Sequence, residues 1–279
     1  MEELHGCPKC DAVQFSRRDA LRVGTAVAGV AAASQFVPAL VQPALGTSRN
    51  PTIWPIPTIV TRAQWGADES RRVSPATFDD VVEKIVVHHT VTQNNRSDHA
   101  AQVRNVFDYH VSHLYSDIAY NIVIDERGAI YEGRWAANYG VGAPHIGEDA
   151  SLRQVRGAHA LNHNARTIGV ALLGTFDTIQ PPPPMVDALV EVLAWKCGRW
   201  NLDPTGTSVF TDALGQRTSL PNILTHRDIR QTLCPGNATR ALLPSVRTRV
   251  KTIVDARLQQ ARSEFWKILP GPEQRQPPG

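Results

Sequence analysis

Four cysteines in 279 residues are too few for a disulfide-built scaffold; they leave room for one bridge, one metal site or plain burial. Neither sign of charge dominates. With 29 Lys+Arg against 26 Asp+Glu the net charge is +3, too balanced for nucleic acid or an acidic membrane surface to be the natural partner. No His-Glu-x-x-His helix occurs, which disfavours a metallopeptidase of that type, and no internal repeat is visible. What is present is an ordinary globular composition, 42% hydrophobic and 20% charged, in a chain long enough for one large domain or two small ones.

The apolar run of residues 23–41 is diluted by Gly24, Gly29, Ser34, Gln35 and Pro38, which weakens it as a membrane span. Phe15-Ser16-Arg17-Arg18-Asp19 precedes it and small residues follow, ending at Pro43-Ala44-Leu45-Gly46. The segment resembles a twin-arginine signal peptide, here taken as residues 1–46, and implies export by the twin-arginine machinery to the periplasm, the cell wall or the medium. Cys7 and Cys10 lie inside it, and one Cys-x-x-Cys pair cannot close a four-ligand zinc site. Residues 47–57 read as a linker, 58–258 as the folded domain, and 259–279 as a tail, disordered by composition after about residue 269.

Within the domain, Lys84-Ile85-Val86-Val87 has the β-branched apolar character of a buried strand, with His88 and His89 at its end. Ser97 or Asp98 caps a helix that places Ala100, Val103, Phe107 and Val111 on one face. Residues 118–125 and 129–133 read as strands joined by a turn through Gly128, residues 167–176 as another, and 223–225 as a last short one. Residues 134–166 show no period and have the length of a functional loop. Pro181 to Pro184 read as a rigid spacer before a helix carrying Val186, Leu189, Leu193 and Cys197 on one face, and a final helix is expected over residues 238–258. Strands and helices in this order predict an α/β domain, a central sheet with helices on both faces. One hairpin makes that sheet mixed.

His88 and His226 stand at strand ends and Cys234 follows eight residues after the second, two imidazoles and a thiol able to converge on one metal. Three ligands leave a fourth position open, the arrangement of catalytic zinc. Spacing alone leaves two other readings equally open: ordinary histidines, and a disulfide between Cys197 and Cys234.

Several ordered blocks decide between them: Thr61-Arg62-Ala63-Gln64-Trp65-Gly66, Val86-Val87-His88-His89-Thr90, Ser116-Asp117-Ile118-Ala119-Tyr120-Asn121, Tyr131-Glu132-Gly133-Arg134, Gly157-Ala158-His159, Thr167-Ile168-Gly169-Val170, and Thr225-His226-Arg227-Asp228 through Cys234-Pro235-Gly236. Together they resemble the peptidoglycan recognition protein and type 2 N-acetylmuramoyl-L-alanine amidase family. The resemblance implies one catalytic Zn2+ held by His88, His226 and Cys234, with Tyr120 and Thr232 as catalytic groups that stabilise the oxyanion. It also implies His159, Asn164 and Trp135 as contacts to substrate, peptidoglycan or its muropeptides. Family members that only bind cell wall commonly lack a ligand, often the cysteine, so the complete set implies amidase activity on the bond between N-acetylmuramic acid and L-Ala. The alternative is a non-catalytic peptidoglycan-binding module. Where some relatives carry a glutamate after the Ile-Gly motif, this chain has Ala171.

Overall fold

The computed structural model describes residues 53–113, 115–136, 147–149 and 151–268. The signal segment, most of the linker, the end of the tail and the centre of the 134–166 loop lie outside the described residues. The chain order is β1 (Ile59–Val60), α1 (Arg62–Trp65), β2 (Phe78–Asp79), β3 (Lys84–His89), α2 (His99–Ser112), β4 (Ile122–Ile124), β5 (Ile130–Glu132), β6 (Gln154–Val155), β7 (Thr167–Leu172), α3 (Pro183–Trp200), β8 (Thr207–Thr211), β9 (Arg217–Pro221), β10 (Ile223–Thr225) and α4 (Asn237–Ile268).

The main sheet runs β1-β5-β4-β7-β3-β10. Only β4 and β5 pair antiparallel, so the sheet is mixed as the hairpin required. Strand alternation divides its side chains between two layers. Ile85 and Val87 of β3, Ile122 and Ile124 of β4, and Ile168, Val170 and Leu172 of β7 pack against α3 and α4 through Leu189, Leu193, Val246 and Val250. On the other face Val123 and Ala171 meet Val103, Val106 and Phe107 of α2. The α2 N-terminus is capped by the Asp98 side chain, which accepts from Ala101 N at 2.8 Å.

Several sequence expectations need correction. Pro183 and Pro184 form the first turn of α3 rather than a spacer, since a proline there loses no helical hydrogen bond. Residues 259–268 continue α4 instead of starting a tail, because their Gln, Ala, Arg and Glu content favours helix. The end of the linker belongs to the fold: Trp54 is buried and lies over Gly198 of α3, where a Cβ would come within 2.1 Å of the indole. Residues 118–121 approach β4 as a loop, not as part of a long strand.

The β8–β9 ribbon was not foreseen. Only Phe210 and Leu220 of its ten residues are buried, so its sequence carries little apolar signal. It is held at the start of β3 by the buried Lys84 ammonium, which donates to Ser208 O, Leu220 O and Asn222 Oδ1 at 2.9–3.0 Å.

Candidate metal centre

Parallel pairing of β10 with β3 sets Thr225 opposite Val87, which brings the residue that follows each in the chain, His226 and His88, to the same carboxyl edge of the sheet. Ligand sites in open α/β sheets form at that edge. The Thr-His-Arg-Asp motif then shapes the turn. Asp228 accepts from the Thr225 backbone N at 2.7 Å and its hydroxyl at 2.9 Å, closing a 3-10 turn over His226–Asp228.

Arg227 reaches across to the segment that carries the cysteine, donating to Thr232 O at 3.0 Å, to Leu233 O and to Asn237 Oδ1. Gly236, at φ 89°, lets that segment lie against the Phe176 backbone, where a Cβ would approach the carbonyl oxygen to 2.1 Å. The loop is thereby fixed on both sides.

The result is a cluster in which one ligand atom each from His88, His226 and Cys234 lies within 4.8 Å of the others, all three residues being buried. Cys234 Sγ stands 3.6 Å from His88 Nδ1, and the His88 and His226 ring centroids are 4.7 Å apart. Cys197 and Cys234 are both free thiols, so the disulfide alternative falls away. His226 Nδ1 is buried without a hydrogen-bond partner, an orphaned lone pair or proton that a protein interior rarely tolerates unless something else binds there. Two imidazoles and a thiol are donors that zinc accepts, and the orphaned nitrogen fits such an ion.

Burial sets the protonation of the histidines. Desolvation, then the neighbouring His226, His159 and His89, holds His88 well below the ordinary histidine range. Desolvation, followed by Arg230, lowers His226 to about 4. Both rings are neutral near pH 7 and keep the lone pair a metal needs. His89 faces the other way. Its Nδ1 accepts from Phe176 N at 3.2 Å, and its backbone N donates to Cys234 Sγ at 3.4 Å.

Tyr120 is buried beside the cluster, its ring centroid 5.3 Å from that of His88. Two arginines hold the segment before it: Arg134 donates to Ile118 O at 2.9 Å and to Asp117 O and Ser116 Oγ at 3.1 Å, while Arg62 donates to Asp117 Oδ1 and ties it to Gly133 O. Asn121 then joins β7 to β6, accepting from Gly169 N at 2.8 Å and donating to Val155 O at 2.7 Å. Thr232 is half-buried, and its hydroxyl accepts from Cys234 N at 3.2 Å.

The three residues expected to meet substrate are placed differently. His159 is buried, with Nδ1 3.0 Å from His88 Nε2 and Nε2 3.4 Å from the Thr167 hydroxyl, because Gly157 and Gly169 leave space for its ring inside the fold. Asn164 is half-buried and uses its carbonyl oxygen to accept from Ala160 N, bracing the 160–164 turn. Trp135 donates to Glu69 Oε2 at 3.2 Å and lines a surface pocket with Arg72 and Phe78, a pocket that includes none of the three metal donors. Sequence reasoning missed the clamps Arg227 and Arg134 and the strand bridge Asn121. All sit within the quoted blocks, and an arginine beside a Gly- or Pro-bearing loop was the available signal.

A family model described as N-acetylmuramoyl-L-alanine amidase matches residues 78–237, more than half of the chain and all of His88, Tyr120, His226, Thr232 and Cys234. The chain belongs to this amidase family. Among relatives, peptidoglycan-recognition protein 1 of Holotrichia diomphalia is 28% identical over 185 residues, 65% of this chain and 76% of the relative. Peptidoglycan-recognition protein LB of Drosophila melanogaster is 26% identical over 191 residues, 67% of this chain and 68% of the relative. Of solved structures, Drosophila peptidoglycan recognition protein SD is similar at 25% identity and a TM-score of 0.48, with 67% of this chain and 92% of that one covered. The endolysin N-acetylmuramoyl-L-alanine amidase LysCS from Clostridium intestinale matches at 24% identity and a TM-score of 0.46, covering 66% and 91%. The names of these similar proteins include both recognition and catalysis.

Proposed function

We propose that the protein is a zinc-dependent N-acetylmuramoyl-L-alanine amidase, hydrolysing the amide between the lactyl group of N-acetylmuramic acid and the L-Ala that begins the peptidoglycan stem. The observation that carries this reading is the complete donor set, His88, His226 and Cys234, gathered within 4.8 Å and with an orphaned nitrogen on His226. Those three residues would hold the ion. Zinc supplies Lewis-acid chemistry when bound, drawing electron density from oxygen and making water acidic enough to ionise near neutral pH.

The chain's own groups supply the rest. Tyr120, beside His88, donates its phenolic hydrogen to the carbonyl oxygen as that atom gains negative charge. Because the Thr232 hydroxyl already accepts from Cys234 N, its proton points elsewhere and serves as a second donor. Across the sheet from His88 stands Ala171, so that strand position contributes no carboxylate base, and the proton that the attacking water gives up is the one the leaving nitrogen takes up. Trp135 and Asn164 would act further out, Trp135 offering a flat face to sugar or peptide. The paired arginines Arg17 and Arg18 support export by the twin-arginine route to the compartment that holds the cell wall.

Purified peptidoglycan is treated with the zinc-loaded protein, with a chelated sample beside it, and the soluble products are weighed by mass spectrometry. Stem peptides beginning with free L-Ala, released only with zinc, are expected. Binding without release would replace the amidase reading by the recognition module.

A further inference from the structure

His159 touches no solvent to speak of and is spent on another histidine. Its place is dictated by two glycines: a Cβ at Gly157 or Gly169 would lie 2.5 or 2.4 Å from the His159 ring, so only glycine at both positions admits the imidazole in this orientation. The hydrogen bonds around it run in one direction. The Thr167 hydroxyl lies 2.6 Å from His163 O and 3.1 Å from Asn164 O, two carbonyls that can only accept, so its single proton is committed there. What Thr167 offers to His159 Nε2, 3.4 Å away, is therefore a lone pair. The proton of the neutral His159 ring is thus on Nε2, and Nδ1 carries a lone pair.

That lone pair faces His88 Nε2 at 3.0 Å, and two facing lone pairs would repel, so His88 must present N–H. With its proton on Nε2, His88 has its own lone pair on Nδ1, the nitrogen that looks toward Cys234 Sγ at 3.6 Å. We infer that His159 is a positioning residue: it fixes His88 as the Nε2–H tautomer and aims the Nδ1 lone pair into the metal site. An imidazole here does what a carboxylate or backbone carbonyl commonly does for a ligating histidine, without adding negative charge. The metal in this inference rests on the amidase reading; the tautomer rests on the hydrogen bonds alone.

Two substitutions separate this role from packing. His159→Asn removes the ring yet keeps an acceptor oxygen near the position of Nδ1, whereas His159→Leu fills space and removes the acceptor. Zinc affinity of the full chain is measured by competition with a chromophoric chelator, and ring tautomers in the metal-free chain by long-range proton–nitrogen NMR. Expected are an Nε2–H tautomer for His88, affinity about 10- to 100-fold weaker in His159→Leu, and affinity near wild type in His159→Asn. A proton on His88 Nδ1, wild-type affinity in His159→Leu, or equal losses in both variants would overturn the inference. If this order of affinities holds while no stem peptide is released, the amidase reading fails and the relay stands. If the wild-type chain takes up no zinc, the reading fails and the nitrogen spectrum alone decides the relay.

Discussion

Tyr120 and Thr232 are close to the donors without belonging to them, so their loss should separate chemistry from metal binding. Tyr120→Phe is expected to keep zinc affinity and lower kcat by roughly 100- to 1,000-fold, the usual cost of one oxyanion donor. Rate and zinc titration on the same preparation check it; a loss of zinc would make the phenol structural. His88→Ala and Cys234→Ala should lose both zinc and turnover, because each removes one of the three donors gathered among the described residues. Gly169→Ala tests the packing beneath them. Its Cβ would come within 2.4 Å of His159, and overpacking of this kind costs about 1–3 kcal/mol in chemical denaturation, with weakened zinc binding as the second sign.

At the scale of elements, the site depends on the parallel β3–β10 pair and on the loop that follows it. Arg227 holds that loop by three hydrogen bonds, two to backbone carbonyls. Arg227→Ala should therefore weaken zinc binding while leaving the circular dichroism of the sheet and helices unchanged; undiminished affinity would show that Gly236 and its neighbours suffice. Much of this was legible beforehand. The apolar run before His88, the Ile-Gly strand and the capped α2 each carry a strong local pattern, and the metal donors sit at pattern boundaries where a sheet edge is expected. The β8–β9 ribbon was illegible because eight of its ten residues are exposed or half-buried, and its attachment depends on Lys84, more than a hundred positions away. The burial of His159 beside His88 was not legible for a related reason. Nothing local marks a histidine admitted to the interior by two glycines, one of them on β7.

For the whole molecule, burial of neutral histidines couples stability to acid. His110, which accepts from Ala119 N, is lowered to about 3 by desolvation and then by Arg134. Its native pKa lies below its unfolded one, so its contribution is complete above pH 6.5 and is lost as pH falls from there toward 3, at up to ~1.4 kcal/mol per unit. Equilibrium unfolding across that range should show a shallower loss in His110→Gln than in wild type; parallel curves would remove His110 from the explanation. Zinc should also raise Tm in proportion to the logarithm of its free concentration, since the three donors converge only in the folded chain. The most direct test of the amidase reading is hydrolysis of a purified muropeptide in oxygen-18 water, followed by mass spectrometry of both products. An amidase places one heavy oxygen on the lactyl carboxylate of the sugar product and none on the stem peptide. Label within the stem, or no label in either product despite binding, would contradict it.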